Sequence, residues 1–421
     1  MKLSWTVAAT LVFAQVLGGL PLTSPPSLAE NHLAIAPRVA EKAIAQQNPQ
    51  PVTPPSASPP TPTQQPSEAP NSLGREIFQQ LIQCMSQSIA NPQQPPSKEA
   101  LEAASMKCVF QVVMLAPDGS IRPDASERLT ALFKTTGINM PKPTSQGQAS
   151  VQLQPLPDSQ VFTVPVTIAG QSRRFLFDTG ASNSIVESQI AQQLGLAGTP
   201  VPKELLEYMV VGDNCSDVKA MLHTLPTLTV DAAKVEGING MGLPKTAIVG
   251  NLSGVLGLDF LSGFDVVLNP KTLQLKLLPP STLTGDAIPL QGKLGVMTAQ
   301  VQINGQGPFT FLLDTGADSM VVSERLAKQL SLDISKAEKV EVRGFCGTEQ
   351  GKQTKLAQVK LQQHQASDID TVVLGRGVLD LLGVDGIVGQ NFLNQYQQHW
   401  RFGELNELGF PEKGSLVLSP L

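Results

Sequence analysis

One pattern occurs twice in this chain of 421 residues, and it constrains the fold more than any other feature of the sequence. The first copy reads FLFDTGA at residues 175–181, and the second reads FLLDTGA at residues 311–317. A second shared motif follows each copy at a similar distance, as GVLGLDFL at 254–261 and GIVGQNFL at 386–393. Self-similarity over this length predicts two structurally equivalent units.

Each copy also opens with an alternating strand that ends in a turn, VTIAG at 166–170 and VQING at 301–305. We therefore expect two β-rich units, at 150–280 and 281–421. A single Asp-Thr-Gly is weak evidence, because a polar turn at the end of a strand has the same composition. Two copies that share a preceding hydrophobic strand and a following aliphatic-aliphatic-glycine motif indicate one site built from both units.

The chemistry of that site follows from its carboxylates, Asp178 and Asp314. Two carboxyls about 3 Å apart cannot both ionise readily, so they share one proton and titrate as a unit. One then acts as general base towards a water and the other as general acid towards a carbonyl. This chemistry fits hydrolysis of a peptide bond, without a metal or a covalent intermediate.

At these residues the chain resembles the aspartic peptidases, and the retropepsin-like branch more closely than the pepsins. The resemblance lies in LDTGAD at 313–318 and IVGQN at 387–391. It implies a mainly β fold of two closed, barrel-like halves, in which the aliphatic-aliphatic-glycine strand passes behind the catalytic turn. It also implies roles for six residues: the catalytic pair Asp178 and Asp314, and the bracing residues Thr179, Gly180, Thr315 and Gly316.

The chain departs from the retroviral pattern at two places. An arginine often follows the last glycine of that pattern, whereas this chain has Leu258 in the first half and Gln390 in the second. Ser182 of the first half corresponds to Asp318 of the second, so we expect the halves to contact substrate asymmetrically. Asp318 either binds the substrate backbone or caps the following helix.

In this family a hairpin between the catalytic turn and the later motif closes over the substrate. Residues 210–215 and 342–347 are the two candidate flaps, and each has a valine, a glycine and then a cysteine. Gly212 and Gly344 are accordingly candidate substrate-binding residues, with Ser182 and Asp318. The hypothesis is that Cys215 and Cys346 form a disulfide between the flaps; the alternative is that they are two unrelated thiols.

The region before the repeats divides into three segments. Residues 1–29 resemble an export signal, with a lysine, an apolar stretch and small residues before Glu30, although an uncleaved anchor is the alternative. Residues 30–71 are rich in proline and glutamine and predict a disordered linker. Apolar spacings of three and four predict a small three-helix module at 72–140, with Asp124 as N-cap of the third helix.

Two further cysteines, Cys84 and Cys108, lie on consecutive helices of that module. In an exported protein a disulfide between them is expected, and two buried thiols are the alternative. We expect the mature protein in the periplasm or outside the cell, or tethered by its N-terminus.

Several other functions find no support in the sequence. Lys and Arg total 30 against 35 Asp and Glu, and a net charge of −5 would not recruit nucleic acid. The four histidines show no metal-ligand spacing, and no serine-hydrolase, Walker A or dinucleotide motif occurs. We expect no cofactor and no metal.

Two functions from different classes therefore remain. The first is an active aspartic endopeptidase acting on peptides or proteins, with a dyad formed within one chain. The second is a catalytically silent protein that binds peptides, or envelope components, in the same cleft. We expect a monomer, whereas pairing of each half with another chain would give a dimer.

Overall fold

In a computed structural model of the protein, the residues described are 4–6, 69–88, 97–118, 122–136, 142–201, 203, 206, 212, 215–281, 287–375, 378–406 and 408–421. Among these residues, helices dominate between 69 and 136, and strands dominate from residue 144 onward. Residues 30–68 of the predicted linker lie outside the described residues, and its last residues, 69–71, belong to the first helix. Of the predicted export signal, the described residues are 4–6, which form strand β1 (Ser4–Thr6).

The predicted helical module is present. Cys84 and Cys108 form the expected disulfide, with a Cα–Cα distance of 5.7 Å. Arg128 is also buried here, and its Nη2 donates to Gln80 Oε1 and to the Val112 carbonyl. The elements are α1 (Ala69–Ser88), α2 (Lys98–Val109), a π-helical turn (Phe110–Met114) and α3 (Ala125–Thr136), which begins directly after Asp124.

The described part of the first repeat contains short strands, two short helices and three 3-10 turns. Its strands are β2 (Thr144–Gln146), β3 (Ala149–Gln152), β4 (Gln154–Pro155), β5 (Phe162–Ile168), β6 (Gln171–Phe177), β7 (Ile185–Glu187), β8 (Thr199–Pro200), β9 (Met221–Thr224), β10 (Leu228–Val230), β11 (Ala233–Glu236), β12 (Asn239–Leu243), β13 (Gly254–Leu256), β14 (Asp265–Asn269) and β15 (Gln274–Leu278). Its helices are α4 (Ser188–Gln193) and α5 (Leu258–Leu261), and its 3-10 turns are Cys215–Asp217, Lys245–Ala247 and Val249–Asn251.

The described part of the second repeat has fewer strands than that of the first, and two of them form a longer hairpin. Its strands are β16 (Ile288–Lys293), β17 (Val296–Ile303), β18 (Gln306–Leu313), β19 (Met320–Ser323), β20 (Lys339–Gly344), β21 (Gly347–Leu361), β22 (His364–Leu374), β23 (Gly386–Val388), β24 (Tyr396–Phe402) and β25 (Lys413–Pro420). Its helices are α6 (Glu324–Gln329), α7 (Val378–Leu382) and α8 (Gln390–Leu393).

The hairpins that lead into the two Asp-Thr-Gly motifs are equivalent. β5 pairs antiparallel with β6, and β17 pairs antiparallel with β18. The turn between β5 and β6 has positive φ at Ala169 and Gly170, and the turn between β17 and β18 has positive φ at Asn304 and Gly305. Two successive residues with positive φ are typical of the tight turns that match the twist of a hairpin. The expected strand-and-turn opening of each repeat is therefore confirmed.

The strands form two sheets that do not coincide with the two repeats. One sheet contains β2, β11, β10, β5, β6, β13, β7, β12, β9 and β8 in that order, with β4 paired to β5. The other contains β1, β20, β21, β22, β19, β23, β18, β17, β16, β25, β24, β14, β15 and β3. β14 of the first repeat thus pairs with β24 of the second, with Val266 opposite Trp400. This shared sheet joins the two halves through buried side chains.

The fold class expected from the repeat is confirmed: the protein is mainly β, with two duplicated halves behind a small helical part. Among the described residues, no helix is both long and apolar enough to cross a membrane.

Candidate active site

Asp178 and Asp314 occupy equivalent turns at the ends of β6 and β18. β13 lies parallel to β6, and β23 lies parallel to β18. The Asp178 N–H donates to the Leu256 carbonyl at 3.2 Å, and the Asp314 N–H donates to the Val388 carbonyl at 3.1 Å. Each aspartate is thus fixed at its backbone by the aliphatic-aliphatic-glycine motif of its own half.

The threonines hold the two turns together across the boundary between the halves. The Thr179 N–H donates to Thr315 Oγ1 at 2.9 Å, and the Thr315 N–H donates to Thr179 Oγ1 at 3.1 Å. Each hydroxyl then donates to a carbonyl of the opposite half, Thr179 to Leu313 and Thr315 to Phe177. Both threonines are fully buried, so water does not compete for these bonds.

The glycines bring each backbone directly under the opposite carboxyl group. A Cβ atom at Gly180 would lie 2.3 Å from Asp314 Cγ, and one at Gly316 would lie 2.5 Å from Asp178 Cγ. Neither distance leaves room for a side chain. The Gly180 N–H also donates to Asp178 Oδ1 at 2.8 Å, and the Gly316 N–H donates to Asp314 Oδ1 at 2.7 Å. The two carboxyls therefore lie side by side with matching orientations.

Burial and mutual repulsion favour protonation of this pair. Burial raises the pKa of Asp178 well above its ordinary value, and the charge and hydrogen bonding of Asp314 raise it further. Burial also raises the pKa of Asp314. No N–H or O–H group of the described chain reaches Oδ2 of either aspartate. The pair can hold one proton and present two oxygen atoms to a ligand.

Comparison with known proteins agrees with this geometry. The family model for the gag-polyprotein putative aspartyl protease matches residues 164–263 and 299–395, once in each repeat. The two matched regions make up a little under half of the chain, and they support assignment of the two repeats to a retropepsin-like aspartic peptidase family. The structure of the chain is similar to that of a retropepsin-like aspartic protease from Rickettsia conorii, with 18% identity, coverage of 32% of this chain and 94% of that chain, and a TM-score of 0.24. No curated protein matches the chain.

In the second half of this retropepsin-like chain, Gln390 stands where the retroviral pattern often has arginine. Its Nε2 donates to the Thr315 carbonyl at 3.2 Å. Gln398 Nε2 donates to Gln390 Oε1, and Trp400 Nε1 donates to Gln398 Oε1 at 3.0 Å. These three side chains are fully buried. The Asp-Thr-Gly turn of the second half is therefore supported by an uncharged chain of hydrogen bonds instead of an arginine.

The first half has an ionisable group that the sequence reasoning missed. Asp259 accepts hydrogen bonds from the Ser184 N–H at 2.7 Å and from Ser184 Oγ at 2.6 Å. Ser184 Oγ in turn accepts from the Gly257 N–H. Burial raises the pKa of Asp259 to about 7, against the lowering effect of these hydrogen bonds. The signal was available, because Asp259 aligns with Asn391 in the second copy of the motif.

The corresponding bonds in the second half involve an amide. Asn391 Oδ1 accepts from the Met320 N–H at 3.0 Å, and Asn391 Nδ2 donates to the Asp370 carbonyl at 2.7 Å. Asp259 and Asn391 thus fix the same backbone position after each catalytic turn. They do so with different chemistry, because a carboxylate only accepts whereas an amide also donates.

Asp318 contacts a segment that precedes the first repeat's hairpin. Its Oδ1 accepts from Ser159 Oγ at 2.5 Å and from the Gln160 N–H at 2.6 Å. The helix-cap alternative for Asp318 is wrong, because Ser323 caps α6 by accepting from the Leu326 N–H. Asp318 therefore ties the two halves together near the site. A contact with substrate stays a prediction for Asp318.

The other candidate substrate-binding residues lie in three places. Ser182 is buried beside the first catalytic turn and donates to Asn183 Oδ1 at 3.3 Å. Gly344 is buried and lies opposite the exposed Gly347 at the end of the hairpin formed by β20 and β21. Gly212 has a φ of 126°, and a Cβ there would lie 2.5 Å from the Cys346 backbone carbon. Their contacts with substrate stay predictions.

The hypothesis of a disulfide between Cys215 and Cys346 is confirmed, with a Cα–Cα distance of 4.6 Å. The second predicted flap, 342–347, forms the end of the β20–β21 hairpin. In the first flap, Gly212 and Cys215 are described, whereas 210, 211, 213 and 214 lie outside the described residues. Two disulfides indicate an oxidising, exported environment.

Proposed function

We propose that the protein is an aspartic endopeptidase in which Asp178 and Asp314 activate a water molecule for attack on a peptide bond. The observation that carries this proposal is the side-by-side placement of two buried carboxyls, each resting against the opposite glycine. The threonine bonds across the halves support it, because they fix the distance between the carboxyls.

The proposed reaction uses the single proton of the pair. The ionised carboxyl takes a proton from water while the oxygen of that water attacks the carbonyl carbon of the peptide. The protonated carboxyl gives its proton to the carbonyl oxygen, which yields a neutral tetrahedral intermediate. The intermediate then collapses: its nitrogen gains a proton from the carboxyl that took one from water, one of its hydroxyls gives a proton to the other carboxyl, and the C–N bond breaks, which restores the single proton of the pair.

Further parts of the proposal concern the oligomeric state of the protein and its location in the cell. We propose a monomer, because both aspartates of the pair belong to one chain and the threonine bonds are made within it. We also propose removal of the N-terminal segment during export to the periplasm or the exterior. A mass measurement by light scattering would test the monomer, and N-terminal sequencing of the exported protein would test the cleavage.

The activity is tested with a library of extended peptides across a range of pH. Wild type should cleave a subset of the peptides, and Asp178→Asn and Asp314→Asn should each abolish cleavage. Asp231→Asn is the matched control, because Asp231 is exposed in a turn with a φ of 51° that asparagine adopts readily.

Two outcomes would contradict the proposal. If wild type binds the peptides but cleaves none, the protein is the catalytically silent binding protein that shares this fold. If either dyad variant retains full activity, the assignment of Asp178 and Asp314 is wrong.

A further inference from the structure

The segment that follows the Asp-Thr-Gly motif of the first half is held in place by Asp259. The Asp259 N–H donates to the Ser182 carbonyl at 3.1 Å. Asp259 Oδ2 accepts from the Ser184 N–H at 2.7 Å, and Asp259 Oδ1 accepts from Ser184 Oγ at 2.6 Å. All three residues are buried. Asp259 therefore bonds to this segment through its backbone and through both oxygens of its carboxyl group.

The same segment fixes the orientation of the Asp178 carboxyl group. Asp178 Oδ1 accepts from the Ala181 N–H at 3.1 Å, in addition to the Gly180 N–H at 2.8 Å. Ala181 directly precedes Ser182, and its carbonyl accepts from the Leu258 N–H at 2.7 Å. Because the backbone has only two soft dihedral angles per residue, a shift at Ser182 would move the Ala181 N–H and turn the Asp178 carboxyl group.

In the second half, Asn391 holds the equivalent segment with a single amide. Asn391 Oδ1 accepts from the Met320 N–H at 3.0 Å, and Asn391 Nδ2 donates to the Asp370 carbonyl at 2.7 Å. Ser319 directly precedes Met320, and its Oγ is buried with no hydrogen-bond partner in the described part of the chain. One side chain thus supplies both an acceptor and a donor.

In the first half the acceptor and the donor come from two side chains. The acceptor is the Asp259 carboxyl group, which when ionised cannot donate as well. The donor is Asn183, whose Nδ2 bonds to the Asn239 carbonyl at 3.1 Å. The parallel pairing of β7 with β12, and of β19 with β22, places Asn239 at the position of Asp370 in the second half. The same two backbone groups are therefore bonded in both halves.

The two sequence differences between the halves compensate each other. Asn183 aligns with Ser319, and Asp259 aligns with Asn391. Replacement of Asn183 alone by serine would remove the amide donor from the Asn239 carbonyl, and Asp259 could not replace it. Replacement of Asp259 alone by asparagine would direct a second amide donor towards the carbonyl that Asn183 already occupies. Asn183 and Asp259 are thus matched to each other.

We propose that Asn183 and Asp259 are positioning residues for Asp178, and that they act together through the backbone at 182–184 to orient its carboxyl group for the reaction. This inference rests on the proposed peptidase function and deepens it, because it assigns to the first half its own support for the dyad. A positioning role should appear in kcat and in kcat/KM, because it affects the transition state more than the binding of the peptide.

The test is a double-mutant cycle on the full-length protein, with a peptide that the wild type cleaves. We expect Asn183→Ser and Asp259→Asn each to reduce kcat about 10-fold, less than the roughly 100-fold cost of a misplacement of about 1 Å, and to leave KM within about twofold of wild type. The double variant copies the second half, so the new amide can bond both to Ser184 and to Asn239. Its kcat should recover to within about threefold of wild type, whereas independent effects would multiply.

Asp265→Asn is the matched control for the loss of a buried carboxylate. Asp265 accepts from the Ser281 N–H at 3.1 Å and from Ser281 Oγ, as Asp259 accepts from Ser184. It lies in β14, in the sheet that joins the halves. Asp265→Asn should lower the free energy of unfolding and leave kcat unchanged. Denaturant titration of every variant separates a loss of folded protein from a loss of kcat.

A second variant of the first half tests the same support if the double variant does not fold. Ser184→Ala removes only the hydroxyl that donates to Asp259. It should reduce kcat by a smaller factor than Asp259→Asn, again with little change in KM. An unchanged kcat in Ser184→Ala would then overturn the inference.

The other outcomes distinguish this inference from the peptidase function. If the losses of the two single variants multiply in the double variant, Asn183 and Asp259 do not act together, and the inference is overturned. It is also overturned if the wild type is active and both single variants keep its kcat, or if only KM changes, and the peptidase function stands in these cases. A wild type that cleaves no peptide contradicts the peptidase function itself, and the inference fails with it.

Discussion

The two halves of the site share one backbone arrangement and differ in the side chains that support it. In each half, the alanine after the Asp-Thr-Gly motif accepts a backbone hydrogen bond from the residue after the aliphatic-aliphatic-glycine motif. The Leu258 N–H donates to the Ala181 carbonyl in the first half, and the Gln390 N–H donates to the Ala317 carbonyl in the second. The supporting side chains are different, with an apolar leucine in the first half where the second has an amide. The comparison indicates that the dyad geometry depends on backbone positions, whereas the side chains adjust the stability and charge of each half.

The largest effect is expected on peptidase activity, from substitution of the glycine that both halves have after the Asp-Thr pair. Gly180→Ala and Gly316→Ala should each reduce kcat/KM by at least about 100-fold, because a misplacement of about 1 Å in a catalytic group has this cost. The new methyl group would displace a buried carboxyl of the opposite half. Peptide cleavage assays measure the loss.

Gly305→Ala is a control for a glycine with no neighbour within 4 Å of its Cβ position, although its positive φ carries a stability cost. Unequal losses at the two catalytic glycines would show that the dyad is less symmetric than its backbone.

Loss of the threonine hydrogen bonds should have the next largest effect, a decrease in the free energy of unfolding. Thr179→Val keeps the shape of the side chain but leaves the Thr315 N–H and the Leu313 carbonyl without partners. An unpaired buried polar group costs about 1–3 kcal/mol, so we expect a loss of roughly 2–6 kcal/mol in the free energy of unfolding. Thr179→Ser, which keeps the hydroxyl, should lose much less. Denaturant titration measures both variants, and equal losses would mean that the hydroxyl does not matter.

The third prediction uses pH to separate the halves. The pKa of Asp259 is raised to about 7 in the folded protein, from an ordinary value of 3.8. The folded state therefore favours the protonated form, and the stabilisation is complete below pH 3.8 and is lost as the pH rises towards 7. At 1.36 kcal/mol per pKa unit, this corresponds to a few kcal/mol, about 4 at most.

Asp259→Asn should remove that contribution and flatten the dependence of unfolding free energy on pH between about 4 and 7. The amide copies Asn391 of the second half, so its oxygen can accept from the Ser184 N–H. Asn391→Asp is the reciprocal change, and it should add a pH-dependent loss because the donor to the Asp370 carbonyl disappears. An unchanged pH profile in Asp259→Asn would contradict the assigned pKa.

The smallest effect is expected at the position where the retroviral pattern has arginine. Gln390→Leu gives the second half the residue of the first, and it leaves the Thr315 carbonyl and Gln398 Nε2 without their partners. Both hydrogen bonds are long, at 3.2 Å and 3.4 Å, so their loss should cost less than that of the threonine bonds, about 1–3 kcal/mol in the free energy of unfolding. Gln390→Glu is a conservative control that keeps an acceptor for Gln398 but not the donor to Thr315. A loss in Gln390→Leu no larger than the error of denaturant titration would show that the buried chain is not stabilising.

Much of the fold could be predicted from the repeat. The strand before each aspartate, the turn at Gly170 and Gly305, and the helices around Cys84 and Cys108 all follow from local patterns of polarity and turn residues. The shared sheet could not be predicted in this way. The pairing of Val266 with Trp400 joins strands more than 130 residues apart, and local pattern carries no information on such partners.

Some features of the candidate site could likewise be predicted from the sequence, and others could not. Asp178 and Asp314 were identified from their motif, and the disulfide between Cys215 and Cys346 was expected from the flap positions. Neither alternative offered for Asp318 included its contact with Ser159, because that contact spans 159 positions of sequence. Asp259 was missed, because its importance depends on burial, which alignment of the two motifs does not report.

The sequence by itself determined which residues recur, and therefore which two carboxyls have equivalent surroundings. That information is local and periodic, because a strand, a turn and a glycine each depend on near neighbours. Only the tertiary structure decided that Thr179 bonds across to Thr315, that Gln390 supports the second turn, and that Asp318 accepts a hydrogen bond from Ser159. These features depend on how the halves pack, and packing joins residues that are far apart in the chain.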